Sequence, residues 1–304
     1  MAPAPSATND SERRRVGVIG TGAMGGGVVE ALVRAGFATV ARDIRPEAQD
    51  RAVTRGALPS TSPADLARRC EIVIVLVVDA LEVETVLFGA DGAAAALAPG
   101  SVVVVSSTVD PAFPAALAPR LATLGVTLLD APVSGGPAKA AAGTMTMMVS
   151  GEPAGQARAR PVLERITGRL FDLGPRAGDA STVKIVNNLL AGANLAAGAE
   201  ALAIADRAGL DLRLVADVIG ASSGGSWIFA DRVPRALAGD RGVRAAARIL
   251  AKDVGIAVDV AARLGVDAAF ARTAYAAFAD AIEAGYGEED DAVLVRRARE
   301  RAGG

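Results

Sequence analysis

The most informative absence in this chain is histidine. None of its 304 residues is a histidine, so acid–base chemistry near neutral pH has to be carried out by Lys, Asp, Glu, Tyr or Cys. Cysteine is nearly absent as well. Cys70 is the only one, which excludes an intramolecular disulfide and is typical of a small buried apolar side chain. We predict no metal site.

The chain also lacks a strong net charge and a long apolar run. Its formal net charge is −2, and its basic residues are scattered. This argues against a nucleic-acid or membrane partner, which would select a dense basic patch. The longest strongly apolar run, Ile72–Val78, is too short to span a bilayer. The first ten residues have no apolar segment of the signal-peptide kind. We therefore expect a disordered tail over residues 1–14 and a cytoplasmic protein.

What the chain does have is enough apolar sequence, 51% of its residues, to bury the cores of about two domains. From Arg15 to about Leu173, short β-branched runs alternate with segments of helical period. Runs that are apolar on both faces suit a parallel sheet covered on both sides. The alternation predicts a doubly wound α/β sheet over residues 15–178. The predicted strands are Val16–Gly20, Thr39–Arg42, Ile72–Val78, Val102–Ser106, Val126–Leu129, Thr146–Val149 and Leu170–Leu173.

The pattern changes after Gly178, where strand signals give way to Ala/Leu-rich helical stretches. The first stretch, about 179–208, contains no proline and is apolar on most faces. A helix of this kind needs neighbours on several sides. We therefore predict an all-helical second domain over residues 179–304 that takes part in substrate binding and in a homodimer or homotetramer.

A glycine-rich segment directly follows the first predicted strand. Gly20, Gly22 and Gly25 form a G-x-G-x-x-G pattern that leads into an apolar helix. Such a loop allows a tight turn, a close approach to a pyrophosphate and a helix N-terminus facing the phosphates. Asp43 ends the next strand about twenty residues later, where an acid binds the adenosine ribose. The pattern predicts NAD over NADP, although Arg42 and Arg45 flank Asp43. The alternative is a structural glycine-rich turn.

Three further segments carry polar groups suited to chemistry, and each has a structural alternative. Ser134, Gly135 and Gly136 present a hydroxyl and two unhindered backbone amides, which suits an anionic carboxylate; the alternative is an ordinary loop. Lys184 and Asn188 lie about 40° apart on one helix face and could hold a substrate hydroxyl; the alternative is a solvated lysine. The pair Lys252–Asp253 could equally be a surface ion pair.

These segments together resemble the β-hydroxyacid dehydrogenases, the family of 3-hydroxyisobutyrate dehydrogenase and tartronate semialdehyde reductase. The resemblance runs from about Val16 to Arg297. It includes the glycine loop, the segment Asp130-Ala-Pro-Val-Ser-Gly-Gly136, the motif Lys184-x-x-Asn-Asn188, and Lys252–Asp253. It implies an NAD(P)-dependent oxidoreductase that moves a hydride between nicotinamide and a small hydroxy-carboxylate.

The resemblance also implies a role for each matching position. Lys184 is similar to the catalytic acid/base and Asn188 to the amide that positions the reacting oxygen. The resemblance places the substrate carboxylate on Ser134, Gly135 and Gly136. The cofactor residues would be Gly20, Thr21, Gly22, Ala23, Met24, Gly25, Asp43, Val77, Val78, Thr108 and Lys252. Two positions depart from the family, since Val78 replaces a common proline and Ala180 a common glycine. Neither change removes a reactive group.

Within the family, two segments look most like the L-threonate dehydrogenase branch. They are Gly225–Phe229, which contains Trp227, and Gly285–Asp291. We expect Trp227 to contact substrate, the alternative for it and Phe229 being core packing. We expect Glu288–Asp291 only to favour the N-terminus of the last helix. L-Threonate oxidised at C2 is thus the favoured reaction, with 3-hydroxyisobutyrate or tartronate semialdehyde as alternatives. An imine reductase and a non-catalytic dinucleotide-binding protein are the rival functions.

Overall fold

The computed structural model describes residues 15–303, so the tail predicted over residues 1–14 lies outside the described residues. The chain divides into two compact units after Thr182. The described residues of the first unit form nine strands, seven α-helices and one short 3₁₀ helix, Ala94–Ala96, in largely alternating order. The strands are β1 Arg15–Ile19, β2 Ala38–Arg42, β3 Leu58–Pro59, β4 Ile72–Val75, β5 Val102–Val105, β6 Thr127–Asp130, β7 Val133–Ser134, β8 Met145–Gly151 and β9 Thr167–Asp172. The helices are α1 Ala23–Arg34, α2 Pro46–Thr54, α3 Pro63–Arg69, α4 Ala80–Phe88, α5 Ala112–Ala122, α6 Gly136–Ala142 and α7 Pro153–Ile166.

The strands form one sheet in the order β3-β2-β1-β4-β5-β6-β8-β7, with β9 paired to β8. Strands β1 to β6 run parallel, and β8 pairs with β6 in the antiparallel sense. The chain winds outward from β1 to β3 and then crosses to β4, so the strand order reverses between β1 and β4. Ligands of doubly wound sheets bind at the carboxyl ends of the strands at such a reversal. The predicted fold class is confirmed.

The central strands are apolar on both faces because helices cover both. Val102 and Val104 of β5 face a core that includes Val28 and Leu32 of α1. Val103 and Val105 face the opposite core, with Leu66 of α3. Pro46 and Pro63 start helices α2 and α3, and the Ser62 hydroxyl caps α3 by accepting from the Asp65 amide at 3.1 Å.

All seven predicted strands exist, and the differences lie at their ends. The run Ile72–Val78 was predicted too long, since β4 ends at Val75 and the Val77 amide turns to the Ser107 hydroxyl at 3.0 Å. Strands β3 and β7 were not predicted. Each has only two residues, too few for an alternating pattern to be visible.

The described residues of the second unit form helices joined by loops, with one isolated antiparallel bridge between Ala246 and Asp290. Its helices are α8 Asp179–Arg207, whose first turn belongs to the first unit, α9 Leu212–Gly220, α10 Trp227–Leu237, α11 Ala247–Arg263, α12 Ala269–Ala281 and α13 Val293–Arg301. Leu195 and Leu202 of α8 pack with Val254 of α11 and Phe278 of α12 in its core. Among the described residues α8 alone is long and apolar enough to cross a membrane, and 44% of its most apolar window is buried. Buried core helices share that composition.

Candidate active site

The glycine loop occupies the carboxyl edge of the sheet at the strand reversal. Gly20 adopts a φ of +87°, and a Cβ there would lie 2.4 Å from the Leu76 carbonyl oxygen. A Cβ on Gly25 would lie 1.8 Å from the Gly20 carbonyl oxygen, so only glycine lets α1 start this close to β1. A Cβ on Gly22 would approach nothing within 4 Å except the Arg45 guanidinium at 3.0 Å. The loop therefore fits a dinucleotide, because Gly22 leaves the N-terminus of α1 open to a phosphate.

Asp43 closes this loop onto the end of β2. Its side chain accepts a hydrogen bond from the Thr21 amide at 2.7 Å and from the Arg45 amide at 2.9 Å. The Arg45 guanidinium pairs with the same carboxylate at 3.2 Å. Burial acts to raise the pKa of Asp43, but the hydrogen bonds from Arg45 and Thr21 outweigh it and leave that pKa below its usual value. The carboxylate is thus ionised beside the glycine loop.

The remaining cofactor residues predicted in this unit follow strands that end level with β1. Ile19 pairs in register with Val75, and Val75 with Val105. The segments after these strands, which contain Val77, Val78 and Thr108, therefore meet the glycine loop at one edge of the sheet. The Ser106 hydroxyl between them is buried without a hydrogen-bond partner among residues 15–303. Sequence reasoning did not single out Ser106.

The turn after β6 has the backbone shape that an anion site needs. Strand β7 fixes its start, because Val133 and Ser134 pair with Met147 and Thr146 of β8. Gly135 and Gly136 then adopt φ values of +133° and +77°, which residues other than glycine rarely do. Ser134, Gly135 and Gly136 are all half-buried. Consecutive amides in such a conformation, next to a hydroxyl, suit a carboxylate.

Asp130, which opens the same segment, has a role that the sequence did not reveal. Its carboxylate is fully buried and accepts from the Ser181 hydroxyl at 2.7 Å, the Ser181 amide at 2.9 Å and the Gly178 amide at 3.0 Å. Burial raises the pKa of Asp130, against the effect of these hydrogen bonds. Asp130 thus satisfies the free amides at the start of α8. The signal that could have found it is the serine two residues into a long helix.

Lys184 and Asn188 lie one turn apart on α8, and both are buried, at 7% and 6% exposure. The alternative of a solvated helix lysine is therefore wrong. The Lys184 amine makes no hydrogen bond or ion pair with any described residue. Burial lowers the pKa of Lys184, with Asp253 acting to raise it and Lys252 to lower it. A buried amine with a depressed pKa can accept a proton.

The second unit also shows what Lys252 and Asp253 do. Asp253 is 4% exposed and accepts from the Asn188 amide nitrogen at 2.6 Å and from the Lys252 ammonium at 2.7 Å. The two residues do form an ion pair, but it is not the surface pair considered as the alternative. Asp253 orients Asn188, a contact between residues 65 positions apart, which is why sequence reasoning missed it.

The two aromatic residues near the Gly225–Ser226 turn have different surroundings. Phe229 is 3% exposed, and its ring lies 2.6 Å from where a Cβ of Gly198 would be. Core packing is therefore correct for Phe229. Trp227, the first residue of α10, is 60% exposed and does not pack in the core.

The acidic segment before α13 does more than favour a helix N-terminus, so that expectation was wrong. Asp291 accepts from the Arg232 guanidinium at 2.6 and 3.2 Å. Asp290 accepts from the Arg235 guanidinium at 3.0 Å and from the Arg244 amide at 2.8 Å. The two carboxylates are buried and hold α10 and the segment before α11 together.

Known proteins match the chain over nearly its whole length. Residues 15–174 match the NAD binding domain of 6-phosphogluconate dehydrogenase, and residues 178–298 match the domain described as NAD-binding of NADP-dependent 3-hydroxyisobutyrate dehydrogenase. The L-threonate dehydrogenase of Cupriavidus necator is 47% identical over 93% of this chain and 95% of its own length. This chain is a member of the β-hydroxyacid dehydrogenase family. Within the family it is most like the L-threonate dehydrogenases.

Solved structures agree with this assignment. The 3-hydroxyisobutyrate dehydrogenase of Salmonella typhimurium is 40% identical, with a TM-score of 0.87, over 93% of this chain and 99% of that one. The 3-hydroxyisobutyrate dehydrogenase of Mycobacterium tuberculosis, solved with L-serine, is 28% identical, with a TM-score of 0.82, over 94% of this chain and 99% of that one. This family member is an NAD(P)-dependent oxidoreductase acting on a hydroxy acid, which argues against a non-catalytic dinucleotide-binding protein.

Proposed function

We propose that this dehydrogenase oxidises L-threonate at C2 with NAD as the preferred acceptor. The observation that carries the chemistry is the buried amine of Lys184, one helical turn from Asn188. The 47% identity to an L-threonate dehydrogenase supports the substrate. The bound dinucleotide would accept the hydride from C2, and the hydroxyl proton would pass to Lys184. The products are the reduced dinucleotide, the 2-oxo acid and one proton.

Lys184 is the proposed acid/base because it can be neutral before the reaction starts. Burial disfavours its ammonium form and so favours the neutral amine, whose lone pair can take the hydroxyl proton. The hydroxyl oxygen becomes a carbonyl as that proton leaves, and the ammonium formed on Lys184 then stabilises it.

Asn188 is the proposed donor to the same oxygen. Its side-chain nitrogen gives one hydrogen to Asp253, and its oxygen accepts from the Asn187 side chain at 3.1 Å. An amide nitrogen carries two hydrogens, so one remains for the substrate. Because a carboxylate can only accept from the Asn188 side chain, the Asp253 contact fixes which end of the amide carries the nitrogen, the donor proposed for the substrate oxygen.

The carboxylate of the acid is assigned to Ser134, Gly135 and Gly136. The positive φ angles of both glycines turn consecutive N–H groups outward, and the Ser134 hydroxyl adds a third donor. Trp227 is included as a substrate contact because its ring is largely exposed. Thr108 and Lys252 are assigned to the cofactor, as the family resemblance implies.

The preference for NAD rests on the charge at the end of β2. Arg45 is the cation nearest to Gly22, and Asp43 already neutralises it at 3.2 Å. A 2′-phosphate would have to displace this carboxylate, whereas ribose hydroxyls could donate to it.

A homodimer or homotetramer and a cytoplasmic location complete the proposal. Val183, Val186 and Leu190 follow one another along α8 and are 41%, 53% and 56% exposed; a second copy would cover such a stripe. The single buried, unpaired Cys70 suits a reducing compartment. Light scattering on the purified protein measures the oligomer, and a monomer at micromolar concentration would overturn that part.

The reaction is tested by following reduced-nicotinamide absorbance with L-threonate, 3-hydroxyisobutyrate and glycerate, each with NAD and with NADP. We expect the highest kcat/KM for L-threonate with NAD. An equal or higher value for 3-hydroxyisobutyrate would overturn the substrate, and an equal or higher value with NADP would overturn the cofactor preference. Identification of the product as the 2-oxo acid tests the position of oxidation.

A further inference from the structure

Helix α6 starts in the carboxylate-binding turn, defined as Ser134–Gly136, and packs directly on the cofactor-binding helix α1. The contact is at Gly27. A Cβ added to Gly27 would lie 2.7 Å from the Ala140 Cβ, 2.7 Å from the Ala141 amide nitrogen and 3.0 Å from the Ala140 carbonyl carbon. Two of these three atoms belong to the backbone of α6. The two helices can therefore approach this closely only because position 27 has no side chain.

The contacts of α6 with β8 and α7 are smaller than its contact with α1. Helix α6 spans seven residues, of which Ala140 alone is buried. At its C-terminus the Arg34 guanidinium donates to the Ala141 carbonyl at 2.7 Å. Gly143 then turns the chain with a φ of +71°, close to the Arg165 carbonyl. By contrast, α1 has seven buried residues in its twelve. If the contact at Gly27 were forced apart, α6 would move and α1 would stay.

Any movement of α6 reaches the turn directly, because Gly136 is both the first residue of α6 and the last residue of the turn. We propose that Gly27 is a positioning residue for the carboxylate-binding turn. By admitting the α6 backbone, it fixes Ser134, Gly135 and Gly136 relative to the glycine loop at the start of α1. This inference rests on the proposed role of the turn in binding the substrate carboxylate.

The size of the effect follows from the contact distances. Non-bonded carbon atoms prefer a separation of about 3.5–4.0 Å, so a methyl group on Gly27 would push α6 away by roughly 1 Å. A misplacement of about 1 Å in a positioning group can cost about 100-fold in rate. We expect Gly27→Ala to lower kcat/KM for the hydroxy acid by about 10- to 100-fold, chiefly through KM, with the Kd for NAD changed less than about threefold.

The neighbouring residue provides a matched control. Gly26 is also buried in α1, and Gly26→Ala brings the same gain in helix propensity. Its Cβ would meet the flexible end of Arg55 at 2.5 Å and the Thr21 carbonyl oxygen at 3.2 Å, and none of its three nearest atoms belongs to α6. We expect Gly26→Ala to leave KM for the hydroxy acid near the wild-type value. The double variant Gly27→Ala/Ala140→Gly, which removes the Cβ–Cβ contact, should recover part of the lost kcat/KM.

A fourth variant weakens the attachment of α6 to α1 without changing Gly27. It tests the inference even if Gly27→Ala does not fold. Arg34→Ala removes the hydrogen bond to the Ala141 carbonyl and should raise KM for the acid about three- to tenfold at unchanged NAD affinity. KM is measured with saturating NAD, and Kd by calorimetry. Unchanged KM in Gly27→Ala, or in Arg34→Ala if Gly27→Ala is unfolded, would overturn the inference. Ser134→Ala distinguishes a failure of the proposed carboxylate-binding role from a failure of the inference about Gly27. If Ser134→Ala leaves KM unchanged, the proposed role of the turn is wrong. If Ser134→Ala raises KM while Gly27→Ala and Arg34→Ala do not, only the inference about Gly27 is wrong.

Discussion

Lys184→Met is the sharpest perturbation of the proposed mechanism. Methionine is close to lysine in length, has no ionisable group, and suits a position that is 7% exposed. Loss of a general acid/base costs about 10²- to 10⁴-fold in rate, which corresponds to about 3–5 kcal/mol of transition-state stabilisation. We therefore expect kcat to fall at least about 100-fold. The Kd for NAD should stay within about threefold, because the glycine loop and Asp43 belong to the other unit.

The pH dependence gives a second, independent readout of the same residue. Oxidation needs the neutral amine, so wild-type kcat/KM should rise with pH through one ionisation. This rising limb of the pH–rate profile should vanish in Lys184→Met. Stability should also respond. The pKa of Lys184 is lower in the folded protein than in the unfolded chain. Burial of the Lys184 ammonium therefore lowers the free energy of unfolding by its full amount at pH values below the pKa in the folded protein. This loss of stability disappears as pH rises towards the pKa in the unfolded chain, about 10.4.

Lys184→Met should consequently be more stable than wild type at low pH, and the difference in Tm should shrink as pH rises. Lys184→Arg should be nearly inactive, since a guanidinium cannot accept the proton. Tm by calorimetry and initial rates between pH 6 and pH 10 are the measurements. A Lys184→Met enzyme that keeps more than about a tenth of wild-type kcat, with NAD bound normally, would refute the assignment.

Four further outcomes follow from the same contacts. Asp253→Asn should lower kcat about tenfold and move the limb of the rate profile to lower pH, because the carboxylate raises the pKa of Lys184. Lys252→Met should move that limb to higher pH; a shift in the same direction for both variants would contradict the electrostatic account. Asp130→Asn should lower the free energy of unfolding by about 1–3 kcal/mol in urea titrations, since an amide would face buried N–H donors. Asp43→Ala should raise the Kd for NAD at least about tenfold and that for NADP less, as calorimetry can show.

Much of the first unit could be predicted because its sequence signals are local. Four consecutive valines predict a strand buried on both faces, and all four valines of β5 are buried. Asp43 was found because parallel strands bring the ends of β1 and β2 together, as the Ile19–Arg42 pairing shows. The errors in this unit lie at the ends of single strands. The strand predicted to reach Val78 ends at Val75 because the Val77 amide donates to the Ser107 hydroxyl, a contact that hydropathy does not encode.

The contacts that sequence reasoning missed join residues far apart in the chain. Asp130 and Ser181 are 51 positions apart, and Gly27 and Ala140 are 113 positions apart. Single residues such as these leave no periodic pattern. Asp290 and Asp291 were misjudged for the same reason, since their partners Arg232 and Arg235 lie more than fifty positions away. Sequence motifs identify side chains that could take part in chemistry, but hydrogen bonds and ion pairs between residues far apart in the chain determine which of these side chains are held in a fixed orientation.

The charges around Lys184 show why Lys252 and Asp253 occur together. Asn188 needs a buried acceptor to fix its amide, and Asp253 supplies it at 2.6 Å. A carboxylate near Lys184 would by itself favour the ammonium form and so work against a base. Lys252, bonded to that carboxylate at 2.7 Å, opposes this effect, and burial then determines the net direction of the Lys184 pKa. The ion pair thus permits an oriented amide beside a lysine that can still lose its proton.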